Sequence, residues 1–151
     1  MTIHDRLVEL GIELPAVAAA AGSYLPTVRT GNLLFTAGQL PFVDGKLPAT
    51  GRVGAEVSAE DAKGYARLAG LNLLAAVDAA VGLDAVERVV KVVGFVASAE
   101  GFTGQPGVVN GVSDLLAEVF GEAGRHARSA VGVAELPLGA PVEVEAILQV
   151  R

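Results

Sequence analysis

Residues 141–150 read Pro-Val-Glu-Val-Glu-Ala-Ile-Leu-Gln-Val. The pattern has a period of two. Val142, Val144, Ala146, Leu148 and Val150 fall on one side, and Glu143, Glu145, Ile147 and Gln149 on the other. Side chains in a strand alternate across the sheet, so this is a strand with one face committed to a core. Residues 127–134 form a second run of small and β-branched residues, Ala-Arg-Ser-Ala-Val-Gly-Val-Ala. The Leu-Pro-Leu-Gly-Ala stretch at 136–140 predicts a hairpin between the two. On that pairing Glu145 falls opposite Val131 or Gly132, roughly 10–13 Å from Arg128 at about 3.3 Å per residue.

Working outward, residues 86–97 give the strongest strand. Val89, Val90, Val92, Val93, Phe95 and Val96 dominate it, broken by Arg88 and Lys91. A helix is predicted over 108–120, with Val109, Val112, Leu115 or Leu116, and Val119 inward and Gly121 and Gly124 after it. A longer helix opens at Ser58, a natural N-cap, with Glu60 and Asp61 in its first turn. Tyr65, Leu68, Leu71, Leu74 (or Ala75) and Val77 recur along it, and Gly82 ends it. Two short strands, 24–30 and 33–37, meet at Gly31-Asn32, a pair that suits a tight turn. Residues 38–54 read as a Gly- and Pro-rich loop. Residues 3–10 read as a short amphipathic helix on Ile3, Leu7 and Leu10, and residues 16–21 as either a further helical turn or an extended arm. The chain is therefore one α+β domain over 1–151, a helical arm (1–21) followed by ββ–α–β–α–ββ with both helices on one face of the sheet. The strand, helix and strand over 33–97 suggest a crossover.

Composition narrows the chemistry. Apolar residues make up 52% of the 151, and mean hydropathy is +0.51, far from a disordered chain. No apolar run reaches the roughly 18 residues a membrane span needs. A cytoplasmic location is expected, since Asp5 and Glu9 disfavour a secretory leader. There is no Cys, which excludes disulfides, thiolate catalysis and Cys-ligated zinc, and two His cannot make a three-His metal site within one chain. A net charge of −6, no Trp and 5% aromatics oppose nucleic-acid binding. Any reaction here is expected to use Arg, Glu, Asp, Tyr, Ser or Thr, backbone groups and water.

Arg128 reads either as a surface arginine with its stem on the sheet or as a fork that grips a carboxylate among small neighbours. Glu145 reads either as part of a solvated strand face shared with Glu143 or as a water-positioning carboxylate. Their separation within one chain is long for a small substrate, and a site made from two chains would bring them together. Gln39 follows Gly38 at a strand end where backbone donors are expected to be open, Asn110 lies near a helix start, and Tyr24 opens a strand.

Tyr24, Gly31-Asn32 and Thr36-Ala37-Gly38-Gln39-Leu40-Pro41 together resemble the N-terminal signature of the RidA/YjgF family, also called the endoribonuclease L-PSP family. Ala127-Arg128-Ser129-Ala130-Val131, then Leu136-Pro137 and Val142-Glu143-Val144-Glu145-Ala146-Ile147, resemble its C-terminal signature, and Asn110 matches its helix-start asparagine. The resemblance covers residues 22–150. The arm and an insertion at 101–107 resemble a longer branch. The resemblance implies a chorismate-mutase-like fold and a homotrimer with clefts between subunits. It also implies cofactor-free hydrolysis of enamines and imines to 2-keto acids and ammonia. In these terms Arg128 binds the substrate carboxylate and Glu145 orients water. Tyr24, Gln39 and Asn110 shape the pocket, and the backbone at Gly38 and Ala130 places the imine. The family's common Cys is Ala130 here, and its Ser before Gly-Gln is Ala37, so only backbone roles carry over at those two positions. Two other activities are open on the same resemblance. One is a non-catalytic carboxylate-binding trimer acting as a sensor or chaperone-like partner. The other is RNA cleavage, which the charge opposes.

Overall fold

The computed structural model describes residues 1–20 and 22–151. The elements are α1 (Ile3–Glu9), β1 (Thr27–Thr30), β2 (Leu33–Thr36), α2 (Ala59–Val81), β3 (Val86–Ala97), α3 (Gln105–Phe120), β4 (Ala127–Val133) and β5 (Val142–Val150). The five strands form one sheet in the order β1-β2-β5-β3-β4. Only β3 and β4 run parallel, joined through α3; the other neighbours are antiparallel.

Local chemistry explains the element ends. Ser58 caps α2 by accepting the Asp61 N–H at 3.0 Å, and Thr2 and Asp5 close a capping box on α1. Helix α3 begins at Gln105, earlier than the apolar periodicity predicts. Pro106 lies in its first turn, where a missing N–H costs nothing. The 101–107 segment thus supplies the helix start. Strand β1 begins at Thr27, leaving Tyr24 outside it, because Pro26 has no N–H for the ladder. Residues 12–20 are neither helix nor strand, so the arm is helical only in α1; Ala21, the last residue of the expected arm, lies outside the described residues.

One expectation fails. Strands β4 and β5 do not form a hairpin, because β3 lies between them: Val93 pairs with Ser129 on one side and with Glu145 on the other. The connection over 134–141 crosses the end of β3 and is longer than the two to five residues usual in hairpins. The near-continuous valine run of β3 was the sign of a strand flanked on both edges. The strand-helix-strand segment through α2 also changes meaning, since β2 and β3 are separated by β5.

Helices α2 and α3 cover one face of the sheet. Val142, Val144, Ala146, Leu148 and Val150 are all buried beneath them, with Leu73, Leu74, Val77, Val112, Leu115 and Leu116 from the helices. Each such Val or Leu contributes about 1.5–3 kcal/mol by burial. The α2–α3 ion pairs, Lys63–Asp114 at 3.7 Å and Arg67–Glu118 at 3.1 Å, are exposed and contribute about 0–1 kcal/mol. Apolar packing therefore holds this layer. The opposite face has no helix. There Val28, Phe35 and Val131 are 54%, 40% and 42% exposed, in line with partly buried Val93, Phe95 and Ile147.

Candidate functional site

Arg128 lies on edge strand β4, on the helix side of the sheet, since it pairs with buried Val92. Helix α3 sits close above this edge because β3 carries Gly94: a Cβ there would lie 2.4 Å from Val109 Cγ2. The close approach sets Asn110 and Ser113, one turn apart, over the guanidinium. Arg128 Nη1 donates to Asn110 Oδ1 at 2.7 Å and to Ser113 Oγ at 3.2 Å. Among the described residues no carboxylate pairs with Arg128. It lines an open hollow of about 310 Å³ with Asn110, Ser113, Asp114, Arg125 and His126.

His126 is the third partner in this cluster. Its Nδ1 lies 3.0 Å from the Gly124 carbonyl and its Nε2 3.0 Å from Ser113 Oγ. A carbonyl only accepts, so Nδ1 carries the proton and Nε2 accepts from the Ser113 hydroxyl. Burial, and secondarily the Arg128 charge, hold the His126 pKa below its usual 6.5.

A second cavity, of about 300 Å³, lies at the other side of the sheet. Tyr24, Pro26, Gly38, Gln39, Leu40, Leu138 and Glu143 line it, with Ala18–20 of the arm. Gln39 is anchored to β5: its N–H donates to Val144 O at 2.7 Å and its carbonyl accepts from Val144 N at 3.1 Å. The Gln39 N–H is therefore engaged, contrary to the expected open donor, whereas the Gly38 N–H has no partner among the described residues. Gly38 makes room for Glu143, because a Cβ there would lie 2.3 Å from Glu143 Oε1. Glu143 is half-buried, and its pKa is raised by burial first and by the Glu145 charge second.

Glu145 occupies a third hollow, of about 220 Å³, with Phe35, Thr36, Lys91, Val93 and Ile147. It lies two strands from Ser129, roughly 10 Å at 4.7–4.9 Å per strand spacing. Arg128 and Glu145 thus face opposite sides of the sheet. One chain brings Arg128 to Asn110, with half-buried Ala130 two residues along β4, and brings Tyr24 to Gly38 and Gln39. It does not bring these two groups together, and Glu145 stands apart from both.

Sequence reasoning missed three participants. Glu143 shares Glu145's face, and the side-chain-free Gly38 was the signal that a neighbour needs its space. His126 shares the alternation of Arg128, and Ser113 follows Asn110 by one helical turn.

A family model described as "YjgF/chorismate mutase-like, putative endoribonuclease" matches residues 4–146. The chain belongs to this YjgF family, and its mixed sheet with helices is the family's fold. Protein TCP17 of Trypanosoma cruzi is 48% identical over 151 residues, covering 99% of this chain and 94% of that protein. A protein of unknown function from Agrobacterium tumefaciens has a crystal structure with 47% identity and a TM-score of 0.91, covering 99% of this chain and 92% of that one. The crystal structure of Escherichia coli TdcF with bound serine matches at 28% identity and a TM-score of 0.63, over 89% and 93% of the two chains. No helix among the described residues is long and apolar enough to cross a membrane, and no group of three or more His, Asp or Glu there could hold a metal ion.

Proposed function

We propose that this chain is a cofactor-independent deaminase that hydrolyses 2-imino acids to 2-keto acids and ammonia. We further propose that it acts as a homotrimer whose clefts join the Arg128 hollow of one chain to the Glu143 cavity of the next. The observation that carries this reading is a half-buried arginine in an open hollow with no acid partner among the described residues. Such a guanidinium is a site for an anion from outside the chain. The separation of Arg128 from the acidic cavity by the sheet itself supports a site built from two copies.

In the proposed reaction the substrate carboxylate binds Arg128. The imine carbon then faces a water held by a glutamate. Glu143 suits this role through its place beside Tyr24 and Gly38, and burial raises its proton affinity above that of an ordinary glutamate. Water oxygen bonds to the imine carbon while its proton passes to Glu143, the C=N π bond opens onto nitrogen, and Glu143 returns the proton to that nitrogen. The carbinolamine then loses ammonia, and the C=O of the keto acid forms. Glu145, two residues along the same face, keeps its neighbour's proton affinity high by charge. The Gly38 N–H and the edge backbone of β4 near Ala130 supply donors for the reacting group.

Substrates generated in situ by a dehydratase, with semicarbazide trapping as readout, test the reading. Arg128→Ala should lose about 100-fold in rate, as expected for losing charge-assisted bonds worth about 1.5–3 kcal/mol each. Full hydrolysis by that variant would sink the proposal. The serine bound in TdcF is a small carboxylate, and it favours one other reading, a carboxylate-binding trimer without catalysis. Wild-type binding of 2-oxobutyrate with no imine turnover would select it.

A further inference from the structure

We propose that Ser113 and His126 are positioning residues for Arg128, holding its guanidinium in the orientation that presents its free edge to a carboxylate. This inference rests on the carboxylate-binding reading of Arg128 and adds the means by which that site is preorganised.

The hydrogen bonds run in one direction. Arg128 Nη1 donates to Ser113 Oγ, the Ser113 hydroxyl donates to His126 Nε2, and His126 Nδ1–H donates to the Gly124 carbonyl. Each member has one orientation that satisfies its neighbour, and the series ends on backbone that follows α3. Asn110 Oδ1 takes the other bond from Nη1. Both contacts thus fall on one nitrogen, while Nη2 and Nε have no partner among the described residues. Those two nitrogens form the edge that meets a carboxylate at two points. The nearby charges do not compete, since Asp114 pairs with Lys63 and Arg125 with Glu122.

A serine this close to a histidine also matches the start of a nucleophilic pair. Here the histidine is oriented by a carbonyl and not by a carboxylate, and Oγ already accepts from the arginine. The geometry therefore points to orientation. A long, flexible arginine on an edge strand would otherwise lose rotamer freedom on binding, and prior bonding removes that cost from the binding step.

The test is titration of the full-length protein with 2-oxobutyrate, followed by calorimetry, with steady-state kinetics alongside. Ser113→Ala should weaken binding about 5- to 10-fold, the loss of one bond to a charged group, and His126→Ala, which removes the acceptor that orients that hydroxyl, by a similar factor. KM should rise in parallel, and kcat should change by no more than about 2-fold. Ser113→Thr keeps the hydroxyl and His126→Gln keeps an acceptor, so both should bind within about 2-fold of wild type. Unchanged affinity in both alanine variants would overturn the proposal. So would weakening by the threonine and glutamine variants equal to that of the alanine variants. Arg128→Ala separates the two levels of inference. Wild-type affinity in that variant refutes the carboxylate site itself, whereas lost affinity there with intact binding in both alanine variants refutes only the positioning role.

Discussion

The two faces of β5 follow the same alternation and meet opposite fates. The inward side chains, Val142 to Val150, are sealed under two helices. The outward side holds Glu143, Glu145 and Ile147 beside half-exposed Phe35 and Val131, with no layer above them in one chain. The covered face is an ordinary core that positions Arg128 from below α3. The uncovered face mixes apolar area with carboxylates, which a single chain has no reason to assemble. The difference teaches that the fold completes its core on one side only; in the proposed two-copy site, the other side is the one a second copy would cover.

The sharpest way to break this comparison is a charge on the open face. Phe35→Asp should convert the proposed trimer to monomers in light scattering and remove essentially all of the proposed imine hydrolysis, while far-ultraviolet circular dichroism stays unchanged. A wild-type protein that is monomeric at assay concentration would contradict the two-copy site. Next in size, Glu143→Gln should lower hydrolysis about 100-fold, as removal of a general acid–base group does. The same change should stabilise the fold at pH 7. Glu143 has a folded pKa raised above its ordinary 4.5. Its favourable contribution to stability is therefore present below 4.5 and lost as pH rises through the folded value. Melting curves should show Glu143→Gln above wild type at pH 7, with the gap closing near pH 4.

On the covered face the expected effects are structural. Gly94→Ala places a Cβ against Val109 and should cost about 1–3 kcal/mol by overpacking, read from the urea midpoint. Because α3 must lift to relieve it, carboxylate affinity should fall too. The smallest effect concerns His126, whose folded pKa is depressed from 6.5. Below that value the unfolded chain takes up the proton more readily. Its contribution is thus full above pH 6.5 and lost as pH falls through the folded pKa. Stability measured between pH 7.5 and 5 should decline less steeply in His126→Gln than in wild type.

Most elements were legible because their signals are local: Ser58 and Gly82 bracket α2, and the alternation of residues 142–150 fixes which face of β5 is buried. Strand neighbours were not legible in the same way. A Leu-Pro-Leu-Gly-Ala link looks like a hairpin until β3 is known to occupy the place between its arms. Arg128, Asn110, Tyr24 and Gly38 were named from residue type and from the family resemblance, and the structure groups Arg128 with Asn110 and Tyr24 with Gly38. Glu143 was passed over because its importance comes from the missing side chain of Gly38, a contact between segments distant in sequence. Ser113 and His126 were passed over for a similar reason. Each is unremarkable alone, and their meaning arises only when α3 comes to rest on β4.

The placement of β5 has a consequence for how the molecule is made. The last strand of the chain lies in the middle of the sheet, between β2 and β3. Its Ala146 N–H donates to Thr36 Oγ1, a residue 110 positions earlier. Until β5 has been synthesised, the β1–β2 hairpin has no partner, and β3 carries one bare edge. Long-range closures of this kind slow folding and leave a sticky nascent chain. A chain lacking β5 would therefore hold two unjoined half-sheets. Strand β5 is the clasp of the sheet: it joins segments that are far apart in sequence.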